Sequence, residues 1–148
     1  GLFNILANRL EIEGLQVLDL FSGTGHIALE FASRGASVVA VDKHMKCVGF
    51  LRHPAAELGL PVNAMRADVF QFLAGDQHRF DLIFADPPYD LATIPDIHRL
   101  VMERQLINPG GLLIIEHGPR TNLSGLAQFM QQRKYGNVNF SFFTAPAD

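Results

Sequence analysis

Short apolar runs rich in β-branched residues alternate with stretches of helical periodicity along most of the chain. The runs Val17–Phe21, Ser37–Val41, Val62–Arg66, Asp81–Ala85 and Leu112–Glu116 are apolar almost without a break, as in strands covered on both faces. Between them the pattern predicts helices over Gly25–Ser33, His44–Leu58, Val69–Leu73, Ile94–Gln105 and Leu123–Arg133. Such alternation specifies an α/β domain, a parallel sheet with helices on both faces. Gly35 and Gly59 stand where helix C-caps are wanted, Pro54 should kink or divide the second helix, and Pro109-Gly110-Gly111 reads as a turn before the fifth strand. After the last helix the alternation stops. Lys134 to Phe143 reads as a turn and one long apolar strand, expected at the sheet edge and able to pair antiparallel. No repeat, low-complexity tract or long linker divides residues 1–148, so one domain is expected.

Composition narrows this only a little. The 148 residues are 48% apolar and 18% charged, which suits one globular domain with an ordinary core. No apolar stretch approaches the roughly 20 residues of a membrane span, and no basic-then-apolar leader opens the sequence. The single cysteine, Cys47, cannot form an internal disulfide and fits a reducing cytoplasm as a small half-buried thiol. His44, His53 and His98 are expected on helices facing solvent, and no Cys/His spacing points to a metal. A net charge of −3 shows no basic stripe of the kind nucleic-acid binders carry. Lys43 with Lys46, Arg99 with Arg104 and Arg133 with Lys134 read as solvated faces.

Two loops carry candidate chemistry. After the fourth strand comes Asp86-Pro87-Pro88-Tyr89. The prolines fix their own φ, hold Asp86 out of the helical region and remove two N–H donors. Such a loop offers carbonyl oxygens, a carboxylate and an aromatic ring to a planar group bearing an amine; the plain alternative is a proline-rich turn. After the first strand comes Asp19-Leu20-Phe21-Ser22-Gly23-Thr24-Gly25-His26. Its glycines permit a tight turn ahead of a helix N-terminus, and Gly23 to Ala28 also satisfies the dinucleotide-binding spacing. Asp19 would repel a pyrophosphate but can face an ammonium. Asp42, ending the second strand, can accept from both ribose hydroxyls, as in NAD and S-adenosylmethionine sites alike. Asp68, ending the third, can accept from an adenine amine while Val69 or Phe70 packs the ring. Any of the three could instead cap the next helix. Together they favour a positively charged sulfonium cofactor over NAD.

Val17 to Gly25 resembles motif I of S-adenosylmethionine-dependent methyltransferases, and Asp86 to Tyr89 resembles motif IV of their amino-methylating branch. Around them, Phe3–Leu6, Phe80–Tyr89, Gly110–Glu116 and Arg133–Gly136 are similar to the bacterial small-subunit rRNA guanine-N2 methyltransferase family, from residue 3 to about 144. The resemblance implies a Rossmann-like class I methyltransferase fold, a mostly parallel seven-stranded sheet with a C-terminal antiparallel strand. It implies S-adenosylmethionine as cofactor and 16S rRNA, within the small ribosomal subunit, as partner of a monomer. Carried over by position, Asp19, Phe21, Ser22, Gly23, Thr24, Gly25, Asp42, Lys43, Asp68, Val69, Phe70 and Asp86 would bind the cofactor. Asp86, Pro87, Pro88 and Tyr89 would hold the base, and no metal is implied. The sequence departs at His53-Pro54, where an uninterrupted helix is usual. Family members also carry a basic segment ahead of the helix containing Phe3, so a chain of this extent is expected to bind cofactor yet methylate rRNA poorly.

The implied reaction needs no base of strongly shifted pKa. Asp86 and the Pro87 carbonyl would accept from the two amine hydrogens, Tyr89 would stack on a splayed-out base, and the proton would leave to Asp86 or water. Rival readings keep the loop and change the substrate to adenine N6 or cytosine N4 in DNA, or to a protein glutamine. Others change the class, to an NAD-dependent oxidoreductase or a non-catalytic binding platform.

Overall fold

The computed structural model describes residues 1–75, 78–88 and 92–146. One seven-stranded sheet forms from β1 (Gln16–Leu20), β2 (Ser37–Asp42), β3 (Val62–Arg66), β4 (Phe80–Ala85), β5 (Ile107–His117), β6 (Phe129–Tyr135) and β7 (Val138–Thr144), in the order β3-β2-β1-β4-β5-β7-β6. The first five strands run parallel, and β7 pairs antiparallel with both β5 and β6. The helices are α1 (Leu2–Ala7), α2 (His26–Ser33), α3 (Met45–Glu57), α4 (Val69–Ala74) and α5 (Ile94–Glu103).

Alternation along the strands builds two cores. Val17, Ala40, Leu82, Phe84 and Ile114 pack on one face beneath Leu6, Phe31 and Leu51 of α1, α2 and α3. Leu18, Val41, Ile83, Leu113 and Ile115 pack on the other beneath Leu73, Ile97 and Val101 of α4 and α5. Phe84, Phe142 and Phe143 are fully buried, each contributing roughly 1.5–3 kcal/mol by leaving water. Strand order, not direction, reverses between β1 and β4: β2 and β3 follow on one side of β1 and β5 on the other side of β4, so a crevice opens at the C-terminal ends of β1 and β4.

Several expectations need correction. No helix covers Leu123–Arg133. Asn122 Oδ1 accepts from the Ser124 N–H at 3.0 Å and the Ser124 hydroxyl at 2.7 Å, which favours a turn. Gln128 is left-handed at φ 68, and from Phe129 the chain is strand β6. That strand lies outside β7, so the apolar tail strand is internal and β6 is the edge. Pro54 does not divide α3: it sits in the last turn of one continuous helix, where a single missing N–H is tolerated. The segment Pro109-Gly110-Gly111 lies within β5 as a register irregularity between Phe80↔Ile107 and Leu82↔Leu112. A Cβ on Gly111 would stand 2.5 Å from the Asp81 carbonyl oxygen, so only glycine passes there. β3 is largely exposed because it is the opposite edge. His98 is buried, its Nε2–H donating to the Ala127 carbonyl at 2.7 Å while its ring packs on Phe143. His44 and His53 are exposed as expected, and Gly35 and Gly59 follow α2 and α3 with φ 101 and 65.

Candidate active site

The C-terminal ends of β1, β2 and β4 and the start of α4 enclose a cavity of about 580 Å³, within the range of small-ligand sites. It is lined by Phe21, Asp42, Lys43, His44, Asp68, Val69, Phe70, Asp86, Pro87 and Pro88. Nine of these ten residues came from the loops and strand ends that the sequence singled out. His44 was not among them. Tyr89 lies outside the described residues.

The turn after β1 begins with a strained residue. Phe21 has φ 58, a left-handed conformation that a bulky aromatic seldom adopts. This aims its ring along the cavity wall, edge-on to Phe70 with centroids 6.4 Å apart. The loop then closes through Gly25 N–H to the Ser22 carbonyl at 2.9 Å, while the Ser22 N–H donates to Val41 O at 3.0 Å. Gly23 has φ 55 and open space where a Cβ would stand; a Cβ on Gly25 would instead collide with the Leu51 side chain of α3. One glycine leaves room and the other serves packing. Thr24 is exposed beside them.

The strand-end acids differ in their engagements. Asp42 is buried, its Oδ2 accepting from the Gly23 N–H at 2.9 Å and its Oδ1 from the His44 N–H at 2.8 Å. It therefore ties both loops while each oxygen keeps a further lone pair. Asp68 is the N-cap of α4: Oδ1 accepts from the Gln71 N–H at 3.1 Å. Asp19 stands apart. It is 1% exposed, and its Oδ2 has no hydrogen-bond partner among the described residues. Burial first, then the neighbouring Asp86, push its carboxyl well above the usual range; an Ala28 backbone hydrogen bond opposes this, and Asp42 adds to it.

Beyond β4 the Asp86 N–H donates to Leu20 O at 3.3 Å, holding this loop against the end of β1. Pro87 is buried and Pro88 exposed. Asp86 meets a residue the motifs did not reveal. Ala85 pairs with Ile115, so Asp86 and Glu116 follow side by side at adjacent strand ends, which puts their carboxyls within reach of a shared hydrogen bond. Burial first, then the Asp86 charge and this bond, raise Glu116 to about 7. Burial also raises Asp86, against the lowering effect of the Glu116 bond. The reaction read from the sequence required no strongly shifted base and did not anticipate these raised carboxyls, which come with two acids at neighbouring strand ends. The signal for Glu116 was present: like Asp42, it is an acid ending a continuous apolar run. On the other face of β5, His117 Nδ1–H donates to Gly118 O at 3.0 Å and Nε2 accepts from the Ser141 hydroxyl at 2.6 Å, a buried neutral pair that fixes this strand end.

The orphaned Asp19 oxygen, beside acids and without a basic partner, fits an ammonium or sulfonium better than a phosphate. Among the described residues no group of three His, Cys, Asp or Glu could hold a metal, and no helix is long and apolar enough to cross a membrane.

Sheet order, switch-point crevice and terminal antiparallel pair define the class I methyltransferase fold. The chain belongs to the family described as Conserved hypothetical protein 95, whose model matches residues 1–144. It is 30% identical over 117 residues to the ribosomal RNA small subunit methyltransferase D of Buchnera aphidicola, covering 78% of this chain and 59% of that protein. It is 31% identical over 137 residues to the release factor glutamine methyltransferase of Salmonella typhimurium, covering 74% of this chain and 49% of that one. The chain thus spans about half to three fifths of the length of these curated relatives. Among solved structures, a Thermus thermophilus 16S rRNA N2 G1207 methyltransferase in complex with AdoMet and guanosine superposes with a TM-score of 0.80 at 27% identity, covering 98% of this chain and 42% of that one.

Proposed function

We propose that this chain carries an S-adenosylmethionine-dependent methyltransferase activity directed at the exocyclic N2 amine of a guanine in 16S rRNA. The observation that carries this reading is one cavity bordered at one side by Phe21, Asp42, Asp68 and Phe70 and at the other by Asp86, Pro87 and Pro88. When bound, S-adenosylmethionine supplies an electrophilic methyl group on a sulfonium. Asp42 would accept from the ribose hydroxyls through its remaining lone pairs, and Asp68 Oδ2 from the adenine amine. Phe70 and Val69 would pack the adenine ring, with Phe21 edge-on behind it. Asp19 Oδ2 would accept from the ammonium, gaining its missing partner. A dinucleotide pyrophosphate would instead add negative charge near three carboxyls.

At the substrate side the protein's work is orientation. Asp86 and the Pro87 carbonyl would each accept one hydrogen of the amine, aiming the nitrogen lone pair, and prolines without N–H groups leave those acceptors uncontested. Base extrusion is needed, since an amine inside a paired helix cannot reach this cavity.

A release-factor glutamine presents a planar, conjugated NH2 much like that of the guanine amine, and the likeness to a glutamine methyltransferase makes it the competing substrate. The experiment compares transfer of labelled methyl to undermethylated small ribosomal subunits, to free 16S rRNA and to a release factor, alongside calorimetric titration with S-adenosylhomocysteine and NAD. Label at guanine N2 and tighter binding of S-adenosylhomocysteine are expected. Label on the release factor would move the substrate to protein, and tighter binding of NAD would overturn the class of reaction.

A further inference from the structure

We infer that Glu116 is a positioning residue for the proposed reaction: it holds a proton against Asp86, keeps that carboxylate aimed at the amine, and with it forms the pair that receives the amine proton. The inference rests on the proposed methyl transfer and begins from strand register. β4 and β5 are adjacent and parallel, with Phe84 opposite Ile114 and Ala85 opposite Ile115. Phe84 and Ile114 lie on the face covered by α1 and α2, while Ala85 and Ile115 lie on the other. Alternation therefore returns Asp86 and Glu116 to the α1/α2 face together, which is also the face of Asp19.

Two carboxyls set side by side at neighbouring strand ends can hydrogen-bond only if one of them keeps its proton, because two carboxylates have no donor between them. None of the ion pairs among the described residues involves either acid. The proton therefore stays between the two groups. Glu116 is its holder: the shared bond raises Glu116 and lowers Asp86, so Glu116 donates and Asp86 accepts with its charge intact. Asp86 is the member lining the cavity; Glu116 stands behind it.

This arrangement gives Asp86 a fixed direction and a single charge. As the methyl–nitrogen bond forms, the electron pair of the methyl–sulfur bond stays on sulfur, and the nitrogen is left one proton in excess. Asp86 takes that proton, so the pair goes from one proton and one charge to two protons and none, and water later removes the extra proton. Ionisation of Glu116 at alkaline pH would set two carboxylates side by side, and Asp86 would lose its donor and its direction.

Two measurements test the inference. In protein labelled with carboxyl-13C glutamate, NMR should show one glutamate titrating near neutral pH, absent from Glu116→Gln. This needs no activity and leaves aspartates silent. In single-turnover methyl transfer, Glu116→Ala should slow the step about tenfold or more with S-adenosylhomocysteine affinity within about twofold, whereas Glu116→Gln, which still donates an N–H to Asp86, should recover much of the rate and lose the wild-type decline above about pH 7. If no glutamate titrates near neutrality, or if Glu116→Gln keeps the wild-type alkaline decline, the inference is wrong while the methyl-transfer reading stands. Tighter binding of NAD than of S-adenosylhomocysteine would overturn the reading itself, and with it the mechanistic role of Glu116.

Discussion

At the N-terminal edge of the sheet, Asp81 has a partner for each oxygen: Oδ2 accepts from the Gln16 N–H at 2.8 Å and Oδ1 from Asn108 Nδ2 at 3.0 Å, so one carboxylate ties β1, β4 and β5. At the C-terminal edge, Asp19 on the same β1 is more deeply buried and leaves an oxygen bare, and Asp86, just beyond the same β4, has another acid as its neighbour. The same strands thus carry an acid that the fold satisfies and acids that it does not. A buried acceptor without a donor costs about 1–3 kcal/mol, and sequence offers ready remedies, since asparagine or serine would fit similar space. The difference teaches where to look for a ligand: at the edge whose acids lack donors, not at the edge with more hydrogen bonds.

Asp86→Ala should lower the methyl-transfer rate by about a hundredfold or more, as for loss of one transition-state hydrogen-bonding group. Unfolding free energy and S-adenosylhomocysteine affinity should change much less. Transfer to rRNA at the wild-type rate would remove Asp86 from the chemistry.

A reciprocal pair of variants comes next. Asp81→Ala should lose about 2 kcal/mol of stability in urea unfolding, because it strands the Gln16 N–H and the Asn108 amide. The folded protein should bind S-adenosylhomocysteine as before. Asp19→Asn should do the opposite, weakening S-adenosylhomocysteine by about tenfold or more while making the cofactor-free protein more stable at about pH 8, where a buried charge is most unfavourable. If both variants lower stability and leave binding alone, the two edges do not differ in the way proposed.

Much of this contrast was legible in the chain. Apolar runs of five or six residues specify parallel strands buried on both faces, and acids at their ends mark the C-terminal edge, which is why Asp19, Asp42, Asp68 and Asp86 could be named. The tail was not legible for a physical reason. Leu123, Leu126 and Phe129 fall at helical spacing, yet they pack on the α5 face from turns and a strand end. Their spacing is set by the Asn122 turn and by the bond from His98 to Ala127, neither of which leaves a periodic trace. His98 itself occupies the i+4 position of a buried helix face begun by Ile94, and only its long-range acceptor explains its burial. Glu116 was overlooked because its partner is another acid, and patterns of charge complementarity do not find pairs of like groups.

The smallest expected effect concerns pH and sharpens the comparison without touching the chemistry. Asp19, Asp86 and Glu116 all have carboxyls raised by burial, Glu116 to about 7 from an ordinary 4.5. In the window between those two values the folded protein holds a proton that the unfolded chain has released. Stability therefore falls as pH rises through the window, and for Glu116 the fall is complete above about 7. Partial solvent access limits the share of Glu116 to about 1 kcal/mol. Thermal unfolding of the cofactor-free protein should thus show a melting temperature that declines from about pH 5 to about pH 8, where an ordinary domain would show a plateau. Glu116→Gln should flatten part of the slope, and Asp81→Asn should leave the slope in place while lowering the whole curve. Saturating S-adenosylhomocysteine should flatten it further, because its ammonium would give the ionised Asp19 the partner it lacks. A flat profile in the free protein, or a slope indifferent to both Glu116→Gln and the ligand, would mean that these acids are met by donors in solution and that the two edges are chemically alike.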